Sequence, residues 1–544
     1  MASHMRSTGQ HDDATAAIEA LTGFINTSTL LDLAHRFSAT YSHLAQSSTE
    51  HFLVTPVTAL PTGKEKGKFL SIDVGGTNLR VGFIELVGDL DDSTNEVPQG
   101  SDGENVFAKI KRSHDKNWPI EDHLKMDQAE DLFAWIADCI AEVVTEAIEE
   151  ASDTEGTQSL FGDEILLGIT FSFPMAQTRL SEATLLPMGK GFAITSDLNL
   201  GKMLLDGYAR HCQEPTGNGS ISANEPNKRR KLSHLPRIRV AAITNDTVAT
   251  FASLAYAVKA APNSRVAMGL IVGTGTNATV PMKLDRLHPA KQKSLPNPDA
   301  VETVVINTEW TIRGTDKPLV DLDIKTSWDL TLDAHSDAPG FQPFEYMTAG
   351  RYLGEIVRLV FVEIVFKDAE IQLPSSLLNK NTLPTRFLSE VVARLDEAAV
   401  TKELERRYPG ESSESAFWTA TRVSLIQDIA AAVQQRSSAL VAAACIGLLN
   451  CVHDIEIDDT DNDRPRSNGT YSNPSSDVEE LVIAYAGGTI SQYPRWLESC
   501  QHWIDTLVTA ASKANASKVV VLREALDGGI IGAGVLAGMT DDIA

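Results

Sequence analysis

Three near-continuous apolar runs constrain this chain most: EILLGITFSF (164–173), IRVAAITND (238–246) and RVAMGLIVGTGT (265–276). A strand with one wet face alternates polar and apolar residues. An unbroken run suits a strand buried on both faces, hence a largely parallel sheet covered by helices. The covers are legible too. DLFAWIADCIAEVVTEAIEE (131–150) sets Leu132, Ile136, Cys139, Val143 and Ala147 on one helical face, and helical patterns recur at 14–50, 344–367 and 415–452. Two last strands, EELVIAYAGG and SKVVVLREAL, close the alternation. The class is α/β, with ligands expected where the strands end.

At 544 residues the chain exceeds a single core. Polar stretches at 88–105, 212–237 and 454–477 read as surface insertions. MASHM (1–5) resembles a cloning remnant and carries no fold information. The formal charge of −26 argues against a general nucleic-acid or anionic-membrane binder, so a phosphate ligand would have to be held locally. Five scattered cysteines without CxxC spacing read as reduced residues of an intracellular protein and offer no metal site. The N-terminus lacks a signal-peptide layout. SALVAAACIGLLNCV (438–452) falls short of the roughly 20 residues that span a bilayer and reads as a buried helix.

The strand ends carry the chemistry. FLSIDVGGTNLRVGFIEL (69–86) reads strand, Gly-Gly turn, strand. Asp73 there suits a turn former, while Gly75, Gly76, Thr77 and Asn78 also offer N–H and hydroxyl groups to a phosphate. Asn245-Asp246-Thr247 ends the second run; the residues suit either a helix N-cap or a working carboxylate. Gly273, Thr274, Gly275 and Thr276 follow the third, in a turn that is neither a P-loop nor a dinucleotide fingerprint. INTEW offers Glu309, PGFQPFEYM offers Gln342 and Glu345, and TLLPMGKGF holds Lys190 between Gly189 and Gly191.

In this order the segments resemble the eukaryotic hexokinase family. LPTGKEKGKFLSIDVGGTNLRVGFIEL is similar to its first phosphate motif and GLIVGTGTNA to its second. GITFSFPMAQ with GKGF resembles the sugar-binding segment, and ITNDTVAT the catalytic loop. INTEW and PGFQPFEYMTAGRYLGEIVRL resemble further sugar segments; VEELVIAYAGGTISQYP and LREALDGGIIGAGVLA resemble the adenosine side. The resemblance implies two actin-like (ribonuclease H-like) ATPase domains flanking a sugar-binding cleft. It places a helical lead-in to the large domain at 1–68, the small domain at 69–243, the large domain at 244–530 and a returning C-terminal helix at 531–544. It implies an ATP-dependent hexose kinase acting on a 6-hydroxyl, with Asp246 as base and Lys190 across the cleft. Ser172, Phe173, Pro174, Gly189, Asn245, Asn277, Glu309, Gln342 and Glu345 would complete the sugar set. Asp73, Gly75, Gly76, Thr77, Asn78, Arg80, Gly273, Thr274, Gly275, Gly488, Thr489, Gly528 and Gly529 would surround the nucleotide. Mg²⁺ would arrive with ATP, without a resident protein metal site. Sugar and ATP are the expected partners of a monomer or homodimer that binds neither nucleic acid nor membrane.

Departures matter as much. MGKGF stands where the family usually has WTKGF, so a sugar-contacting Thr is replaced by Gly189. NTEW continues with Thr311, Ile312, Arg313 and Gly314 in place of GAFG. Gly487 stands where Asp is common, and DGGIIGAG replaces DGSGKGAA, putting Ile531 at a basic position. Two expectations follow: an active kinase with a reshaped pocket, comparable to fungal N-acetylglucosamine kinases, or a weakly catalytic sugar sensor. Lys228-Arg229-Arg230-Lys231 resembles a nuclear import signal and leaves a nuclear location open beside the cytoplasm. Retention of Lys190 and Asp246 favours the enzyme.

Overall fold

A computed structural model describes residues 2–88, 109–121, 123–124, 129–153, 164–173, 175–186, 198–212, 235–258, 263–367, 371–411, 416–458 and 478–540. The chain divides into two compact units. Met1–Leu53, Asn263–Lys291 and Asn307–Glu524 form the first; Val54–Pro262, Gln292–Ile306 and Ala525–Ala544 form the second.

The second unit is built on a five-stranded sheet of β1 (Gly67–Val74), β2 (Asn78–Leu86), β3 (Ile110–Pro119), β4 (Glu164–Phe171) and β5 (Arg237–Asn245), in the order β3-β2-β1-β4-β5. β1, β4 and β5 run parallel; β2 and β3 are antiparallel additions at one edge. The apolar runs at 164–173 and 238–246 lie on the parallel strands, as burial on both faces requires. Helix α1 (Ala129–Asp153) covers one face, burying Leu132, Ile136, Ile140 and Val143 with Leu70, Ile72, Val74 and Ile169. Each such side chain contributes roughly 1.5–3 kcal/mol on leaving water. α2 (Leu200–Ala209) packs beside it. The other face is covered by the C-terminal helix, Gly528–Gly538, which packs on β1, β2, β4 and on α3 (Asp246–Val258). Seryl and threonyl hydroxyls seat it: Ser71 Oγ donates to the Ile530 carbonyl and Thr170 Oγ1 to that of Gly529 at 2.8 Å.

The first unit carries β6 (Ser264–Val272), β7 (Thr276–Lys283), β8 (Glu479–Ala486) and β9 (Lys518–Glu524), ordered β7-β6-β8-β9. β6 and β7 form a hairpin; β8 is parallel to both β6 and β9. Its helices include an N-terminal helix, Thr27–Ser47, then α4 (Gly350–Phe366), α5 (Ala420–Cys451) and α6 (Trp496–Ala511). By length and composition α5 could cross a membrane. It is instead the buried axis of this unit, packed on the N-terminal helix so closely that a Cβ at Gly447 would lie 2.6 Å from the Ala34 carbonyl oxygen.

The fold differs from the sequence reading at four points, the first three for physical reasons. The helical stretch 14–50 is two helices, Ala2–Thr22 and Thr27–Ser47, because Asn26 leaves helical geometry and its side chain caps the Thr29 amide. β3 was not expected: KRSHDKNW is polar because it forms the sheet edge, where charges discourage further pairing. Residues 246–258, expected with the large domain from 244 onward, belong to the second unit, since α3 packs on the C-terminal helix. That helix begins at Gly528 rather than at 531. The insertions at 88–105, 212–237 and 454–477, with Lys228–Lys231 inside them, fall almost entirely outside the described residues.

Candidate active site

In the second unit, strand register gathers the candidates. Asp73 pairs across to Arg80 on β2 and to Thr170 on β4, while Phe171 pairs to Asn245 on β5. The carboxyl ends of the parallel strands therefore present Asp73, Ser172 and Asn245-Asp246 side by side, where ligands bind in sheets of this kind. The Ser172 amide donates to the Val74 carbonyl at 3.1 Å. Gly75 closes the β1–β2 turn by donating to Asn78 O at 2.9 Å, and Asn78 Nδ2 donates to Thr77 Oγ1 at 3.1 Å. Phe173 is a core residue, its ring stacked on Phe171 at 6.1 Å.

Asn245 does cap a helix: its Oδ1 accepts from the Thr247 amide at 2.9 Å and from Thr247 Oγ1 at 2.6 Å. Asp246 opens α3, with its Oδ1 accepting from the same amide at 2.9 Å. The cap thus aims the neighbouring carboxylate, and the helix N-terminus favours its charge.

Asp73 sits in a place hostile to charge. Burial first, then the Asp246 and Asp527 carboxylates, push its carboxyl up to about 7 against the opposing pull of the Arg80 guanidinium. A Cβ on Gly529 would lie 2.3 Å from Asp73 Oδ2, so the C-terminal helix touches this carboxyl with bare backbone. One consequence is testable. A folded-state value of about 7 against 3.8 unfolded means that the native protein holds an extra proton in this window, so stability falls as pH rises from about 4 to 7 and stays low above. Asp73→Asn should therefore raise the unfolding free energy at pH 8, by a few kcal/mol at most, and with it the urea midpoint, and leave both unchanged near pH 4. A midpoint shift equal at both pH values would contradict this origin.

Asp527 was not singled out from sequence. It holds a left-handed backbone (φ 51°) at the head of the C-terminal helix, and its carboxylate accepts from Arg80 at 2.7 Å and from Arg112. These pairings span hundreds of residues and leave no local signal. Ile531, at the position where the family carries a basic residue, is buried in this unit.

In the first unit a second cluster forms around the β6–β7 turn. Gly273 donates to Gly275 O at 2.9 Å, and its carbonyl accepts from Gly350 N at 2.8 Å and Thr489 Oγ1 at 3.0 Å. The Thr274 carbonyl accepts from Arg351 N at 3.2 Å. Gly488 and Thr489 begin a short helix after Gly487, whose φ of 122° only glycine tolerates; a Cβ there would lie 2.4 Å from Val272 O. That backbone excludes the Asp common at this position. Buried Glu345 accepts from Thr276 N at 3.1 Å, and the Gln342 carbonyl accepts from Tyr346 N.

Glu309 has φ +48°, strained for a side chain of its size. Its Oε1 accepts from Asn307 Nδ2 at 2.7 Å and Asn277 Nδ2 at 3.3 Å, and Asn277 also donates to Asn307 Oδ1 at 2.7 Å. Asn307 is the member the sequence reading passed over, although INTEW contains it. Two amides and a carboxylate in one network form a surface of donors and acceptors suited to vicinal hydroxyls. Pro174, Gly189 and Lys190 lie outside the described residues.

Family models described as hexokinase match residues 20–256 and 267–539. Among similar proteins, hexokinase-2 of Solanum tuberosum is 30% identical over 491 residues, covering 89% of this chain and 82% of its own length. Hexokinase-1 of Nicotiana tabacum is 30% identical over 493 residues with the same coverage. In structure, a hexokinase from Schistosoma mansoni complexed with glucose aligns over 98% of this chain and 100% of its own, with TM-score 0.71 and 24% identity.

Proposed function

The chain belongs to the hexokinase family, and we propose from that premise how its residues divide the work of the reaction. The protein is an ATP-dependent hexose kinase with the family's two-domain, actin-like ATPase fold. The observation that carries the assignment of roles is the row of Asp73, Ser172 and Asp246 at the ends of three parallel strands.

In our reading Asp246 accepts the proton of the sugar 6-hydroxyl as its oxygen bonds to the γ-phosphorus, the bond to the β–γ bridging oxygen breaks, and ADP leaves. A loose transition state asks the protein mostly for alignment and charge stabilisation. Lys190 would offset negative charge on the transferring group. Asn277, Glu309, Gln342 and Glu345 would hold sugar hydroxyls, with Asn307 added to that set. Asp73, Gly76, Thr77 and Arg80 would meet phosphate on one unit, and Gly273, Thr274, Gly275, Gly488 and Thr489 would meet nucleotide on the other. Asp73, raised first by burial and then by the Asp246 and Asp527 carboxylates, suits a divalent cation that arrives with ATP, and Mg²⁺ would supply charge neutralisation there.

For the acceptor we propose a hexose bulkier at carbon 2 than glucose, N-acetylglucosamine being the natural candidate. The support is Gly189, which removes a side chain where the family places a sugar-contacting Thr. We place the reaction in the cytoplasm, where the five free thiols would stay reduced. An ATP-coupled assay over glucose, fructose, mannose and N-acetylglucosamine tests the substrate. Gly189→Thr is expected to lower kcat/KM for N-acetylglucosamine by about tenfold or more relative to glucose, the scale of discrimination by one small group. Strong glucose preference, unaltered in Gly189→Thr, would rule this acceptor out.

A further inference from the structure

The loop that presents Glu309 is held from the N-terminal segment of the same unit. Phe52, itself left-handed (φ 50°) and fully buried, donates its amide to the Thr308 carbonyl at 2.9 Å. Strained residues thus flank one hydrogen bond, an arrangement that persists only where the surroundings over-determine it. At the far side of the loop the Arg313 amide donates to Phe341 O at 2.8 Å, joining the Glu309 loop to the segment carrying Gln342. The Arg313 carbonyl accepts from His51 Nε2 at 3.0 Å.

His51 is almost completely buried and locked in one tautomer. Nε2 must carry its proton, because a carbonyl can only accept; Nδ1 then accepts from Ser48 Oγ at 2.8 Å. The His51 carbonyl is in turn fixed by Lys291 Nζ at 2.6 Å. Glu50 grips the Arg313 guanidinium at 2.6 Å, but that pair is exposed and contributes little. The buried contact through the imidazole is the stronger tie.

We propose that His51 is a positioning residue for sugar binding, holding the Glu309 and Gln342 segments in register through the Arg313 carbonyl. It touches no substrate. The proposal rests on the reading that Glu309 meets the sugar. Its surroundings keep the imidazole neutral: burial and the Lys291 ammonium lower its affinity for a proton, while Glu50 and the backbone carbonyls of Arg313 and Ile312 oppose them.

The experiment compares His51→Leu, which fills volume without a donor, with His51→Gln, which retains a side-chain N–H, in the full chain. Glucose and N-acetylglucosamine serve as acceptors. His51→Leu is expected to raise the sugar KM roughly tenfold, the scale of one buried hydrogen bond, with the ATP KM unchanged; His51→Gln should restore most of the loss. If His51→Leu does not fold, Ser48→Ala, which frees the imidazole, should move the sugar KM the same way by less. An unchanged sugar KM, equal loss in both KM values, or no rescue by Gln overturns the proposal. Glu309→Gln separates the two failures. If that variant raises the sugar KM and His51→Leu does not, only the role of His51 falls; if it leaves the sugar KM intact, the reading of the site falls and the proposal with it.

Discussion

Asp246→Asn is expected to lower kcat for hexose phosphorylation by roughly 10³-fold, within the ~10²–10⁴ that a positioned general base supplies. The sugar and ATP KM values should move little. The substitution is selective for a structural reason. The Asp246 Oδ1 that accepts from the Thr247 amide has an equivalent in asparagine, so the first turn of α3 keeps its geometry. Asn245 continues to cap the helix through Thr247. What disappears is an oxygen able to take a proton as the 6-oxygen bonds to phosphorus. Steady-state kinetics over pH 6–9 with an unfolding curve on the same sample make the measurement. A loss below tenfold, with the fold intact, would mean that another group accepts the proton.

The strands that position this carboxylate were legible because burial on both faces removes polar residues from the run. EILLGITF and IRVAAITN read as parallel strands from their unbroken apolar runs, and polar residues at their ends mark where chemistry could stand. Helix α1 was legible through its 3.6-residue period. β3 was not, since an edge strand is selected for charge and its sequence reads as a loop. The division of labour at Asn245-Asp246 was open from sequence: cap and catalyst draw on the same residue types, and here one residue caps while its neighbour is aimed by the cap. Asp527 and Arg112 were invisible because their meeting depends on the C-terminal helix docking against β1, β2 and β4. Asn307 was hidden differently: it ends a strand, Thr303–Asn307, and only its hydrogen bonds with Asn277 and Glu309 reveal it as part of that network.

Gly532→Ala is expected to destabilise the second unit by up to about 2 kcal/mol, against the direction that helix propensity predicts. In an isolated helix alanine is favoured over glycine by about 1 kcal/mol. The C-terminal helix, GGIIGAGVLAG, carries five glycines and should gain from the change. Packing reverses the sign. A Cβ at Gly532 would lie 2.0 Å from the Ala249 carbonyl oxygen of α3, and one at Gly168 on β4 would lie 2.1 Å from the Ala533 carbonyl oxygen. Both obstacles are backbone, so no rotamer change relieves them; at Gly532 the C-terminal helix and α3 would have to separate, and overpacking of a tight core commonly costs about 1–3 kcal/mol before propensity is considered. Separation would also draw the helix away from Asp73 and Thr170, so activity should fall with stability. Gly76→Ala is the matched control in the same unit, because nothing lies within 4 Å of its Cβ position and its φ is ordinary. Urea unfolding of both variants decides the matter. If Gly532→Ala were as stable as the parent, the close seam between the C-terminal helix and α3 would not exist in solution; if Gly76→Ala fell equally, the loss would reflect glycine replacement in general rather than this contact.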